Sequence, residues 1–303
     1  MKVFVAGGSG TIGIPLVRGL VAAGHQVTAL TRSMSKRDEL QGLGASVAVA
    51  DALNRDLLIA AVEAAHPTHI IHQLTALPKG GPRRASDLDA TNRLRIDGTR
   101  NLLDAAIHAG VRRFVVGSFA MLSARAPVAT APDDDDATAA VRSMEHQVLE
   151  ATERGAIEGV ILRYGMFYGL ETPSTATMIE MVRKRWLPVV RGDAGRLPVI
   201  HIQDAVSATI RALDLAPAGG TYDIVDDRAV SLTEIVEAIA EYTGSAAPLR
   251  VPAWLPRLIA PYMARITSMR MPLSNAKAKA ELGWRPKYST MRDGLAQMLR
   301  QAA

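Results

Sequence analysis

The first thirteen residues, MKVFVAGGSGTIG, run a short apolar strand straight into four glycines within seven residues, and no other stretch limits the fold as tightly. Gly7, Gly8, Gly10 and Gly13 read as GxxGxxG from the first glycine or as GxGxxG from the second. In either frame they permit a tight strand-to-helix turn and a close approach of backbone to a ligand. The next residues, Ile12 to Ala23, are apolar at helical spacing and are closed by Gly24. Strand, glycine turn and helix together are the setting in which such a motif holds the pyrophosphate of a dinucleotide. Gly7, Ser9, Gly10, Thr11 and Ile12 are the candidate contacts, the last two through amides at a helix N-terminus.

The first half of the chain keeps to this rhythm. QVTALT, SVAVA, THIIHQL, RRFVVGS and EGVILRY are apolar on both faces, with helical runs predicted near Ser35–Leu43, Arg55–Ala65 and Ser86–Ala109 between them. Strands of this kind separated by helices predict an α/β fold, a doubly wound parallel sheet of Rossmann type covered on both sides. Residues 1–164 read as the dinucleotide-binding domain, with 197–226 returning to it, and 165–303 as a smaller distal substrate-binding or lid region.

QVTALT ends in Arg32, followed by Ser33, Lys36 and Arg37. An acid at this place accepts from the ribose 2′-hydroxyl of NAD, whereas a guanidinium binds a 2′-phosphate through paired hydrogen bonds. Arg32 therefore points to NADP(H).

Composition closes off several alternatives. Cysteine is absent, which excludes disulfides, thiolate catalysis and cysteine-ligated metals. The net charge of +5 is spread along the chain rather than clustered, so no nucleic-acid partner is expected. The apolar run at 251–273 is interrupted by Arg257, Arg265, Arg270 and several prolines, so no membrane span is expected. No signal pattern stands at the N-terminus, and a cytoplasmic protein is expected. Four aspartates at 133–136 read as a solvated loop leading into a helix, and the seven histidines show no paired spacing with acids, so no metal site is expected.

With these residues in view, the chain resembles the short-chain dehydrogenase/reductase superfamily, in its extended, epimerase- and dehydratase-like branch. DGTRNLLDAAIHAGVRRFVVGS, VILRYGMFYG, VIHIQDAV and KAKAELGWRPKYS carry the resemblance over nearly the whole length. It implies cofactor contacts at Asp51 and Ala52, in ADALNRDLL, and at Gln73, Leu74 and Thr75, in IIHQLTAL. It also implies a catalytic Ser or Thr, a Tyr, and a Lys four residues after it, the cation lowering the phenol's pKa.

Here the chain departs from the pattern. Phe119 occupies the aligned Ser/Thr place, with Ser118 one residue earlier, and the helix ATAAVRSMEHQVLEA holds neither Tyr nor Lys. Arg95 stands where relatives often carry an Asn. Ser118 and Tyr164 remain as candidate catalytic residues, the tyrosine standing where relatives have a proline beside the nicotinamide. His69, His72 and His201 read as structural and His146 as solvated helix surface. The expected function is that of an NADP(H)-dependent reductase or epimerase-like enzyme with non-standard catalytic residues. A non-catalytic NADP(H)-binding redox sensor is the alternative. The methionine-rich run 263–272 leans toward a lipophilic small-molecule carbonyl substrate, and the sequence does not choose between a monomer and a homodimer.

Overall fold

The computed structural model describes residues 1–78, 82, 84–120, 136–191, 195–252, 254–259, 270, 271 and 273–301. Among them run the strands β1 (Lys2–Ala6), β2 (Gln26–Thr31), β3 (Ser46–Val49), β4 (His69–His72), β5 (Arg113–Phe119) and β6 (Glu158–Tyr164). The distal half adds β7 (Met166–Tyr168), β8 (Val189–Val190), β9 (Val199–His201), β10 (Thr221–Ile224) and β11 (Arg250–Val251). Seven strands form one sheet in the order β10-β6-β5-β4-β1-β2-β3, every neighbouring pair parallel. The order reverses between β1 and β4, and ligands of such sheets bind at the carboxyl ends of the strands beside that reversal.

Alternation along each strand divides the core into two layers. Val3, Val5, Val115, Val160, Leu162 and Tyr164 face one way, packing with α1 (Gly13–Ala22) and a later helix at Ile202–Leu215. Phe4, Ile70, Phe114, Val116 and Ile161 face the other way. Between α1 and that later helix lie α2 (Arg37–Gly42), α3 (Arg55–Ala65), α4 (Asp89–Arg93), α5 (Thr99–His108), α6 (Asp136–Glu153) and α7 (Pro173–Arg183), which makes Ile202–Leu215 α8. Helices α3, α5 and α6 cover the second face.

A third apolar cluster belongs to the distal half, where Ile179 and Val182 of α7 meet Val199, Val236, Ile239, Leu295 and Met298. Those partners come from β9, from α9 (Leu232–Tyr242) and from a C-terminal helix at 291–301. α8 and β10 rejoin the large sheet, whereas β9 pairs with β7 and β11 with β8 in two small two-stranded sheets.

One predicted helix is broken. In place of a continuous run over Ser86–Ala109, a 3₁₀ turn at Ala85–Leu88 leads into α4, and a π-turn at Leu94–Gly98 separates α4 from α5. The widened turn packs on α6, where Gln147 Nε2 donates to the Ile96 carbonyl at 3.2 Å. A side-chain donor thus serves a carbonyl within the irregular stretch.

Two features read from the sequence fall largely outside the described residues. Three of the four aspartates, at 133–135, are among them, while Asp136 opens α6. Of the methionine-rich run 263–272 only Arg270 and Met271 are described, Met271 being buried. No helix among the described residues is long and apolar enough to cross a membrane.

Candidate functional site

The glycine turn is shaped by contacts that leave no room for side chains. Gly7 has φ +89°, and a Cβ there would lie 2.7 Å from the Gln73 carbonyl oxygen. A Cβ on Gly13 would meet the Gly7 carbonyl oxygen at 2.1 Å. The turn is therefore pressed between the start of α1 and the segment after β4. Gly10 N–H donates to the Gly7 carbonyl at 3.0 Å, while the amides of Thr11 and Ile12 donate to no described residue. Free amides at a helix N-terminus are what a diphosphate requires.

The neighbouring strand ends complete this rim. Ser9 Oγ and Thr31 Oγ1 share a hydrogen bond of 3.1 Å, which ties the turn to the end of β2, and Ser33 N–H donates to Thr31 Oγ1 at 3.2 Å. Arg32, the next residue, is exposed and forms no ion pair with a described residue. Asp51 follows β3, is exposed, and accepts from the Leu53 amide at 2.9 Å through Oδ1. The Ala52 carbonyl accepts from Asn101 Nδ2 of α5 at 3.0 Å.

Beyond β4, His72 orders the loop that bears Gln73, Leu74 and Thr75. Its Nδ1 accepts from the Leu74 amide at 3.1 Å, which leaves Nε2 to carry the proton and donate to Thr99 Oγ1 at 2.9 Å. Burial, followed by the positive charge of Arg95, lowers the pKa of this ring to about 4. His72 is thus a neutral, single-tautomer spacer. The candidate cofactor residues from Gly7 to Thr75 line the carboxyl ends of β1 to β4 at the reversal in strand order. That cradle, with its two open amides, fits a dinucleotide.

The two candidate catalytic hydroxyls are not brought together. Ser118 pairs with Arg163 in the β5–β6 register and faces α6, while Tyr164 belongs to the layer beneath α1 and α8. Ser118 Oγ donates to Glu145 Oε1 at 2.5 Å. The same oxygen accepts from Arg163 Nε at 2.9 Å, and Glu145 Oε2 takes Arg163 Nη2 at 2.5 Å. Glu145 is buried, and its hydrogen bonds hold the Arg163 guanidinium above its ordinary pKa.

On the other face, Gln73 Nε2 donates to the Tyr164 hydroxyl at 3.0 Å. Thr209 Oγ1 donates its only proton to the Ala205 carbonyl at 2.7 Å, so Tyr164 donates to Thr209, also at 2.7 Å. Burial pushes this phenol up to about 12. Gln73 Oε1 lies against the backbone of Gly117, where a Cβ would come within 2.2 Å of it. Sequence reasoning missed Glu145, although an acid on the stripe Val141, Met144, Val148 of an otherwise apolar helix face signals a buried cation partner.

The remaining candidates are scaffold or surface. His201 is buried and caps α8 through Nδ1, Tyr168 donates to Asp226 Oδ2 at 2.8 Å, and His146 is exposed beside Glu150. No group of three His, Cys, Asp or Glu among the described residues is placed to hold a metal.

Comparison with known proteins agrees with this geometry. The chain is 34% identical over 310 residues to a 3-diazoavenalumate denitrifying reductase from a Streptomyces species, covering 98% of this chain and 100% of that one. It is 26% identical over 266 residues to a 2-alkyl-3-oxoalkanoate reductase from Stenotrophomonas maltophilia, covering 81% and 76% of the two chains. The UDP-glucose 4-epimerase of Thermus thermophilus, solved with NAD, superimposes with a TM-score of 0.79 at 25% identity over 99% and 98% of the chains. Residues 3–225 match the family described as NAD dependent epimerase/dehydratase, and the chain belongs to that family of NAD(P)-dependent enzymes.

Proposed function

We propose that the chain is an NADP(H)-dependent reductase whose acceptor is an electrophile on an organic acid, reduced without a tyrosine–lysine proton relay. The observation that carries this reading is the separation of Ser118 and Tyr164 onto opposite faces of the sheet, each hydroxyl proton given to a scaffold acceptor. Gly7, Ser9, Gly10 and the amides of Thr11 and Ile12 hold the diphosphate. Arg32, aided by Ser33, takes the 2′-phosphate. Asp51 and Ala52 meet the adenine, and the Gln73–Thr75 backbone lies along the nicotinamide half. The bound cofactor supplies a hydride, which an arenediazonium consumes with loss of dinitrogen and no proton, whereas a ketone needs a proton as well. Both reductases named above act on acids by their names, and the Streptomyces protein on a diazo compound.

The test follows nicotinamide absorbance with diazo and keto acids as acceptors, against enzyme-free controls, after NADPH and NADH affinities are compared in wild type and Arg32→Ala. The expected result is an NADPH preference lost in the variant, turnover of the diazo acid, and turnover kept within a few-fold in Ser118→Ala. A loss of about 100-fold or more in Ser118→Ala would restore it as part of a proton relay. Tight NADPH binding with no turnover of either class would instead support the non-catalytic sensor.

A further inference from the structure

The last residue of β5 is a phenylalanine that the core does not claim. Val115 and Val116, earlier in the strand, pack into the two opposite layers of the sheet. Phe119 is half-buried and belongs to none of the three apolar clusters formed by the described residues. It also makes no contact with another described aromatic ring. Tyr164, its partner in the β5–β6 register, gives its own ring contact to Phe167, at 5.3 Å between centroids.

Strand register fixes its place. β4 ends at His72, opposite Val116, so Phe119 stands three residues, about 10 Å, past the last residue of β5 that pairs with β4. The chain beyond His72 is the loop assigned to the nicotinamide half of the cofactor, and its first residue lies against β5. A Cβ on Gly117 would come within 2.2 Å of Gln73 Oε1 and 2.8 Å of the Tyr164 ring. The space in front of Gly117 is therefore filled, and Phe119, next on the same face, stands at the rim of that floor with its side chain partly open. A hydride acceptor has to lie beside the nicotinamide, where this phenyl group is available to it. The face of a phenyl ring is electronegative, so it favours another π-system, above all an electron-poor or cationic one, over a saturated chain of equal area.

We infer that Phe119 is a specificity-determining residue, the wall against which an aromatic ring of the substrate packs. The inference rests on the reductase reading and narrows its organic acids to aryl acids. An alkyl acid of the same length and charge keeps the burial of its chain but loses the ring-to-ring contact.

The experiment uses the full chain saturated with NADP⁺ and titrates it calorimetrically with 3-phenylpropanoate and 3-cyclohexylpropanoate. The two acids share charge and length, and the saturated ring has the larger apolar surface, so burial alone favours the cyclohexyl acid. Wild type is expected to bind the phenyl acid about threefold or more tightly than the cyclohexyl acid. Phe119→Leu is expected to erase that ratio while leaving NADP⁺ affinity and the unfolding midpoint unchanged, and Phe119→Tyr to keep it. Equal or weaker binding of the phenyl acid by wild type overturns the inference, as does failure of both acids to bind a protein that binds NADP⁺. An unchanged ratio in Phe119→Leu also overturns it, and a lowered unfolding midpoint beside that unchanged ratio places the ring in the scaffold. A fall in NADP⁺ affinity in Phe119→Leu overturns it by placing the ring on the cofactor. Failure of wild type to bind NADP⁺ at all strikes the reductase reading itself, before the acids are tested.

Discussion

Glu145 and Arg163 form a two-point ion pair, Oε1 to Nε at 2.9 Å and Oε2 to Nη2 at 2.5 Å, that joins α6 to the end of β6. The glutamate side chain is 7% exposed and the arginine 24%, so the pair is shielded but the guanidinium keeps a wet edge. Removing one partner of a buried pair strands the other. Glu145→Ala is expected to cost about 3 kcal/mol in urea unfolding, and Ser118→Ala, which removes one hydrogen bond, about 1 kcal/mol.

Tyr164→Phe deletes the middle of the chain of donors from Gln73 to Thr209 and leaves the Gln73 amide without its acceptor. The expected loss is about 1–2 kcal/mol of stability, read from denaturant midpoints at unchanged slope. Because burial pushes the phenol up to about 12, it stays protonated through the working range. The pH–rate profiles of wild type and Tyr164→Phe should therefore share their shape between about pH 6 and 10. A basic limb present only in wild type would make the phenol a titrating participant.

The distal half carries its own pH dependence. Asp226 is buried where β10 gives way to the distal segment, and its carboxyl is pushed up to about 8, first by burial and then by the charges of Asp204 and Asp227. The Tyr168 hydroxyl and the backbone N–H of His201 oppose that rise without cancelling it. The folded carboxyl keeps its proton above the ordinary 3.8, where the unfolded chain has lost it. Its contribution to stability is complete below that value and is lost as pH rises through about 8. Urea midpoints should fall from about pH 6 to pH 9, and Asp226→Asn should flatten the fall.

Gly13→Ala brings a methyl group 2.1 Å from the Gly7 carbonyl oxygen, backbone against backbone. The turn must open to admit it. Cofactor affinity should drop about tenfold or more, with a loss of about 1–3 kcal/mol in stability, measured by nicotinamide fluorescence and thermal unfolding of the same sample.

The large sheet was legible because parallel strands buried on both faces read as plain apolar runs, as VFVA and FVV do. The strands β7, β8 and β11 were not, since two or three residues carry no period and owe their pairing to tertiary neighbours. The π-turn was hidden for a different reason. Arg93, Gly98 and Thr99 around it keep helical backbone angles, so 86–109 scans as one helix. Of the candidate site, the glycine turn and Arg32 could be read from motif and position, whereas Asp51, Ala52 and Gln73–Thr75 came only through the resemblance of their segments to a known family. Ser118 and Tyr164 drew attention as hydroxyls, but which face each takes depends on alternation in β5 and β6, and their acceptors lie on α6 and α8, far away in sequence.

The bonds from Gln73 through Tyr164 and Thr209 to the Ala205 carbonyl run in one sense only, since a backbone carbonyl at the end can never donate. A carboxylate at position 73, as in Gln73→Glu, would put an acceptor where Tyr164 needs a donor, and the phenol could answer it only by turning its proton away from Thr209. Residues 73, 164 and 209 are therefore coupled: a change at any one of them alters what the next must donate or accept under the sheet.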